Sequence, residues 1–189
     1  MDFNKDYLKI VKKLVKDRRY NHILGVVDEA MALANKYNIS VDKARIAASL
    51  HDITKNMDID FQVELITKTL GPDALKDVPF GAIHAISGAI YSRDYLGVDD
   101  EDIYNSIYYH TLGRPKMSTL EKIIYISDFI EPSRNSEASI KCKEIAYKNL
   151  DEGLLYAMEY IVKILEAENK FIPSQTYESI KYYKELINE

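Results

Sequence analysis

Four histidines and two aspartates carry the chemistry open to this chain: His22, His51, His84 and His110, with Asp52 directly after His51 and Asp128 further on. Imidazole and carboxylate with no thiolate beside them form a ligand set suited to Fe, Mn, Co or Zn used for catalysis. Taken singly, each has a plain explanation as a surface residue or a hydrogen-bonded core residue. A His-Asp pair is also unremarkable in a chain with 16 aspartates. Their placement sets them apart. His22 is expected to open one helix, His51-Asp52 to close a second, His84 to open a third, His110 to close a fourth, and Asp128 to lie inside a fifth. Helix ends leave room for a shared pocket. The single cysteine, Cys142, excludes an internal disulfide and a Cys-rich zinc site.

The elements that must position these side chains are helical from end to end. Phe3, Tyr7, Ile10, Val11, Leu14 and Val15 make one apolar helix face. A second helix is expected from Asn21-His22 to about residue 37, with Asn38 as a left-handed stop. Ser40 caps a third, to about residue 53, and a fourth covers roughly 59–70 before Gly71-Pro72. The next runs from near His84 to Gly97, and the acids at 99–102 favour the start of another that reads through to His110. Gly113-Arg114-Pro115 forces a loop. Ser118-Thr119-Leu120-Glu121 is a capping box for a helix over about 119–130, stopped by Glu131-Pro132. Stretches at about 137–149 and 154–170 follow, and a last helix runs from Pro173-Ser174 to Ile187. No alternating strand pattern, repeat or low-complexity linker occurs. The expected fold is all-α, a bundle of about eight to ten helices in one domain over 1–189, with a core at about 18–135 and C-terminal helices at about 136–187 packed on it.

Composition agrees. The 189 residues are 47 % hydrophobic and 29 % charged, ordinary for a globular protein with its own core. The 15 tyrosines fit half-buried helix surface. The first residues lack the apolar run of a secretory signal, and the uncharged stretch 78–92 is too short and too polar to span a bilayer, so a cytoplasmic location is expected. A net charge of −5 argues against a nucleic-acid partner.

At these residues the chain resembles the metal-dependent phosphohydrolases named for their His-Asp pair, the HD domain. A distant His, then His-Asp, then a distant Asp map onto His22, His51-Asp52 and Asp128. It is more similar still to one branch, the bacterial symmetrical diadenosine tetraphosphate hydrolases of the YqeK type. Tyr20-Asn21-His22, the run Leu50 to Lys55, His84 to Ala89, and above all YHTLGRPKMSTLEKIIYISDFIEPSR from Tyr109 to Arg134 carry that likeness. The resemblance spans about 18–180. It implies a helical HD fold and hydrolysis of diadenosine tetraphosphate, or a related dinucleoside polyphosphate, to two ADP. Other HD nucleotidases and a non-catalytic nucleotide-binding module are the alternatives. The paired acids of the alarmone hydrolases are absent after His51-Asp52, where Ile53-Thr54-Lys55 stand, and no Gly-Tyr-Pro triplet marks the cyclic-dinucleotide branch.

Phosphoanhydride hydrolysis near neutral pH needs an activated nucleophile and neutralised phosphate charge, and a divalent metal supplies both. The expected ligands are His22, His51, Asp52 and Asp128, for one or two ions, iron first, with Mn, Co or Zn as alternatives. His84 and His110 either hold a second ion or contact phosphate and protonate the leaving group, with Asp52 also at the reacting centre. Lys55 (if its helix continues), Arg114, Arg134 and the Thr111 hydroxyl are candidates for phosphate, with Arg18 and Tyr20 behind them. Phe171 and Ile172 are candidates for a base. Glu131, three residues after Asp128, is placed to orient a ligand, and Gly88 to permit close helix packing. A nucleotide is the expected partner, and a homodimer is compatible with everything read here.

Overall fold

The computed structural model describes residues 5–188, and every regular element among them is helical. The order is α1 (Tyr7–Leu14), α2 (Asp17–Lys36), α3 (Val41–Leu50), α4 (Ile59–Leu70), α5 (Ile83–Asp94), α6 (Glu101–Tyr108), α7 (Thr119–Ile130), α8 (Glu137–Ala146), α9 (Leu150–Ala167) and α10 (Ser174–Asn188). Single 3-10 turns at Pro72–Leu75 and Phe80–Ala82 join α4 to α5. Phe3 lies outside the described residues. The local signals act where they stand. Ser40 accepts from Lys43 N, and Ser118 and Glu121 make both bonds of the capping box. Asn38 takes φ 54° after α2, and Gly97 takes φ 71° after α5.

Several boundaries differ from the sequence reading, each for a local reason. α2 starts at Asp17, so His22 sits in its second turn and does not open it; Asp17 brings a carboxylate to the helix N-terminus. α3 stops at Leu50, with His51 as its cap residue. α6 ends at Tyr108, leaving His110 in the turn that follows. Asn149, expected to end one helix, instead caps the next by accepting from Asp151 N and Glu152 N, so α8 stops at Ala146 and α9 starts at Leu150.

α7 is the axis of the packing. Leu120, Ile123, Ile124, Tyr125, Ile126 and Ile130 are all buried, and α7 touches α2, α3, α6, α8 and α9. Fully burying an aliphatic side chain of this size contributes about 1.5–3 kcal/mol, so the helix carrying Asp128 is held firmly. Ala44, Ala47 and Ala48 let α3 lie close to its neighbours, chiefly α2. A second apolar cluster, Leu65, Ile66, Ile83, Ile86 and Ile90, seats α5 on α4. The C-terminal hairpin closes on the same core: Gly153 in α9 lies so near α8 that an added Cβ would meet Ala146 Cβ at 2.6 Å and Cα at 2.7 Å. Gly153→Ala therefore lowers stability by about 1–3 kcal/mol through overpacking. A thermal melt shows this as a Tm several degrees below the parent.

Candidate metal centre

The His51-Asp52 pair is set by an abrupt change of backbone. After Leu50 the chain leaves α3 in tight turns, with Ile53 N bonded to Leu50 O at 3.1 Å and Lys55 N to Asp52 O at 3.0 Å. Thr54 fastens these turns to α5, its hydroxyl donating to His84 O at 2.9 Å and sharing a 2.8 Å hydrogen bond with Ser87. Gly88 permits that approach, a Cβ there lying 3.4 Å from Thr54 Oγ1 and 3.5 Å from His51 O. The helix does not continue to Lys55, so the condition attached to that candidate is not met. The turn itself delivers Lys55, whose Nζ lies 3.0 Å from His84 Nδ1 and 3.4 Å from Gly81 O.

Asp52 is the hub. Its Oδ2 lies 3.4 Å from His51 Nε2, 3.7 Å from His22 Nε2 and 2.6 Å from an Arg19 guanidinium nitrogen. Its Oδ1 lies 3.0 Å from His84 Nε2 and 3.9 Å from His110 Nε2. Asp128, from α7, brings Oδ1 to 3.1 Å from His22 Nε2. Two groups of ligand atoms thus share one carboxylate, His22, His51 and Asp52 on one side and Asp52, His84 and His110 on the other.

The far ring nitrogens determine which atoms face inward. His51 Nδ1 donates to Ala48 O and His110 Nδ1 to Ile107 O, both at 2.7 Å, because a carbonyl can only accept. His22 Nδ1 donates to the Glu131 carboxylate at 3.1 Å. Each of the three therefore turns a bare Nε2 lone pair toward the centre. The Nε2 atoms of His22 and His51 are buried and have no hydrogen-bond partner. Orphaned, inward-facing imidazole nitrogens beside carboxylates fit a divalent metal ion. Glu131 is the outer support: it accepts from Ser133 N at 2.7 Å and from the Ser133 hydroxyl, so it holds His22 from a fixed position.

Electrostatics keep the ligands in usable form. Burial opposes ionisation of Asp52, but His51 and His84 outweigh it and hold its carboxyl well below the usual range. Burial also opposes charge on Asp128, and His22 and His51 keep its carboxyl low. Burial, aided by His51 and His84, pushes His110 down to about 3, so it stays neutral. Burial lowers His84 and Lys55 as well. His51 goes the other way: burial works against its charge, yet the adjacent Asp52 raises it.

The remaining candidates separate clearly. Arg134 reaches the centre, 3.3 Å from Asp128 Oδ1, and lines a cavity of about 570 Å³ with His110, Thr111 and Asp128. Arg18 lines a neighbouring cleft of about 470 Å³ with Lys16, Arg19 and Arg134. Phe171 and Ile172 line an apolar cavity of about 590 Å³, which also includes Thr111. Arg114 is not brought to the centre. Its guanidinium makes two 2.7 Å bonds to Glu121 and lines none of these cavities. Sequence reasoning missed Arg19 and Phe80. Arg19 stands three residues before His22, on the same face once α2 is known to start at Asp17. Phe80 was invisible because nothing assigned structure to the segment between α4 and α5.

Removing the outer support tests the arrangement. Glu131→Gln should leave the helical fold intact and weaken divalent-metal affinity by about 10–100-fold, read by competition with a chelator. Because metal must displace the proton that Asp52 helps His51 to hold, affinity also falls as pH drops, and the loss begins above about 6.5, the ordinary histidine value, because His51 is raised.

Comparison with known proteins agrees with this geometry. An HD domain matches residues 19–133. A symmetrical bis(5'-nucleosyl)-tetraphosphatase of Halalkalibacterium halodurans is 34 % identical over 96 % of each chain. One from Bacillus subtilis is 34 % identical over 90 % of this chain and 91 % of its own. A solved structure, described as a predicted HD superfamily hydrolase involved in NAD metabolism from Clostridium acetobutylicum, aligns with a TM-score of 0.86 at 33 % identity over 95 % of each chain. With the histidines and Asp52 gathered as they are, the chain belongs to the HD-domain family, in the branch of the symmetrical bis(5'-nucleosyl)-tetraphosphatases.

Proposed function

We propose that this protein is a metal-dependent hydrolase that splits diadenosine tetraphosphate, or a related dinucleoside polyphosphate, symmetrically into two ADP. The observation that carries the reading is the pair of buried, unpartnered Nε2 atoms of His22 and His51 facing Asp52, in a chain about a third identical to named enzymes of that activity. His22, His51, Asp52 and Asp128 would hold the first ion, and Asp52, His84 and His110 a second. Bound there, the metal supplies Lewis-acid charge and acidifies water near neutral pH. Iron is the first choice; manganese, cobalt and zinc share its preference for imidazole and carboxylate.

The chain's own groups supply the rest. Arg134 stands between the basic cleft and the cavity beside His110, where its guanidinium can fork onto phosphate oxygens. Lys55 and Thr111 add donors on the other flank. The lysine ammonium can only donate, so it places its proton toward His84 Nδ1 and leaves the His84 Nε2 proton facing the centre. With the first ion alone, that proton can pass to the oxygen of the departing ADP; a second ion on His84 Nε2 must displace it, so the two roles are alternatives. The same ammonium repels a cation on the His84 side, so the second ion is held more weakly than the first. We also take the chain as one domain, working in the cytoplasm; among the described residues no helix is long and apolar enough to cross a membrane.

Protein loaded with Fe or Mn and given diadenosine tetraphosphate should yield ADP as the sole nucleotide by chromatography, and ATP with AMP would sink the symmetrical reading. Chelator titration should remove metal in two stages. His51→Ala should lose both metal and turnover while circular dichroism stays helical.

A further inference from the structure

The metal centre lies in a surface trough whose two ends differ in chemistry. At one end, the cleft of about 470 Å³ carries Lys16, Arg18, Arg19 and Arg134 beside His22 and Glu131, and among the described residues no phenylalanine, tyrosine or aliphatic side chain lines it. At the other end, the cavity of about 590 Å³ is walled by Phe80, Leu112, Phe171 and Ile172. Phe80 and Phe171 leave 76 % and 60 % of their surface open, an expensive exposure for phenylalanine that invites a ring to cover it. The middle cavity links the two ends, sharing Arg134 with the basic cleft and Thr111 and Tyr125 with the apolar cavity. At that second junction Thr111 Oγ1 is buried with no hydrogen-bond partner, a polar group awaiting one from a ligand. Lys55 ties the apolar end to the centre, touching both His84 and the carbonyl of Gly81 in the Phe80 turn.

A dinucleoside tetraphosphate is symmetrical, and this trough is not. Resting on the function proposed above, we infer that the site grips only one nucleoside of its substrate, its base in the apolar cavity lined by Phe80 and Phe171. The other half is held through its phosphates alone, in the basic cleft. The second nucleoside is then dispensable, and a mononucleoside tetraphosphate is also a substrate. With adenosine 5'-tetraphosphate, the oxygen of water bonds to one of the two middle phosphorus atoms and the P–O bond bridging the second and third phosphates breaks. The bridging oxygen leaves with the far half, taking up a proton that solvent then shares. The products are ADP and pyrophosphate. Held by base stacking, with few polar side chains at the apolar end, the gripped nucleoside is selected by its ring more than by its edge.

The test gives the metal-loaded protein diadenosine tetraphosphate and adenosine 5'-tetraphosphate side by side, and measures ADP binding by calorimetry. The mononucleotide should be cleaved to ADP and pyrophosphate with kcat/KM within about tenfold of the dinucleotide. Phe80→Ala and Phe171→Ala should each weaken ADP binding about tenfold, the loss of one stacking contact. Dinucleotide cleavage with the mononucleotide slower by more than about a thousandfold would overturn the inference, as would release of ATP and phosphate. Unchanged ADP affinity in both phenylalanine variants would remove the base from the apolar cavity. Should the dinucleotide itself go uncleaved, the proposed function falls, while the ADP arm still decides whether a nucleoside occupies the apolar end.

Discussion

A single buried carboxylate organises this molecule. Asp52 is 2 % exposed, and taking a lone carboxylate so far from water costs several kcal/mol unless its neighbours compensate. Here four imidazoles and the Arg19 guanidinium surround it, each within 4 Å of one of its two oxygens. None of these neighbours is free to turn away. Ala48 O, Ile107 O and Glu131 pin three of the rings from behind, and Lys55 stands behind the fourth. The cluster is therefore preorganised, with its lone pairs directed inward at energetic expense that the core must cover. That is why Asp128 stands on α7, a helix with Leu120, Ile123, Ile124, Ile126 and Ile130 all buried, and why α2 and α3 pack so closely against each other.

The same constraint explains how an overall acidic chain can meet a polyanion. The net charge of −5 does not describe the site, where Lys16, Arg18, Arg19 and Arg134 gather on one flank and Lys55 stands on the other. Buried acids face the inward ligand atoms and basic groups face the trough. The two sets touch at only a few points, such as Arg19 with Asp52 and Arg134 with Asp128. Charge is sorted by depth, which lets one small bundle hold cations inside and phosphates at its mouth.

Much of this was legible before any coordinates. Helical period, the Ser118–Glu121 capping box and the stops at Asn38, Gly71 and Gly97 report local physics, and α4 and α7 begin and end where those signals stand. The histidines were legible as a set because each falls at or near a helix end. Their convergence was not, since it depends on how α2, α3, α5 and α6 pack, and a helical period says nothing of crossing angles. Lys55 reaches the cluster by a turn at His51 and not by a continued helix, and that turn depends on Thr54 reaching across to α5. Arg19 was lost with the wrong start of α2. Arg114 looked like a phosphate ligand from its loop, yet it is matched by Glu121 seven residues on, a pairing only the fold of that loop creates. The contrast between Phe80 and Phe171 on one end and arginines on the other likewise joins segments far apart in the chain.

The central claim is that the Asp52 carboxylate is the shared face of two metal sites. Crystals of the protein reconstituted with iron or manganese, measured at the absorption edge of that metal, test it directly. Anomalous density should appear on both sides of Asp52, one peak toward His22, His51 and Asp128 and a weaker one toward His84 and His110. Density away from Asp52, or none in metal-loaded crystals, would contradict the account.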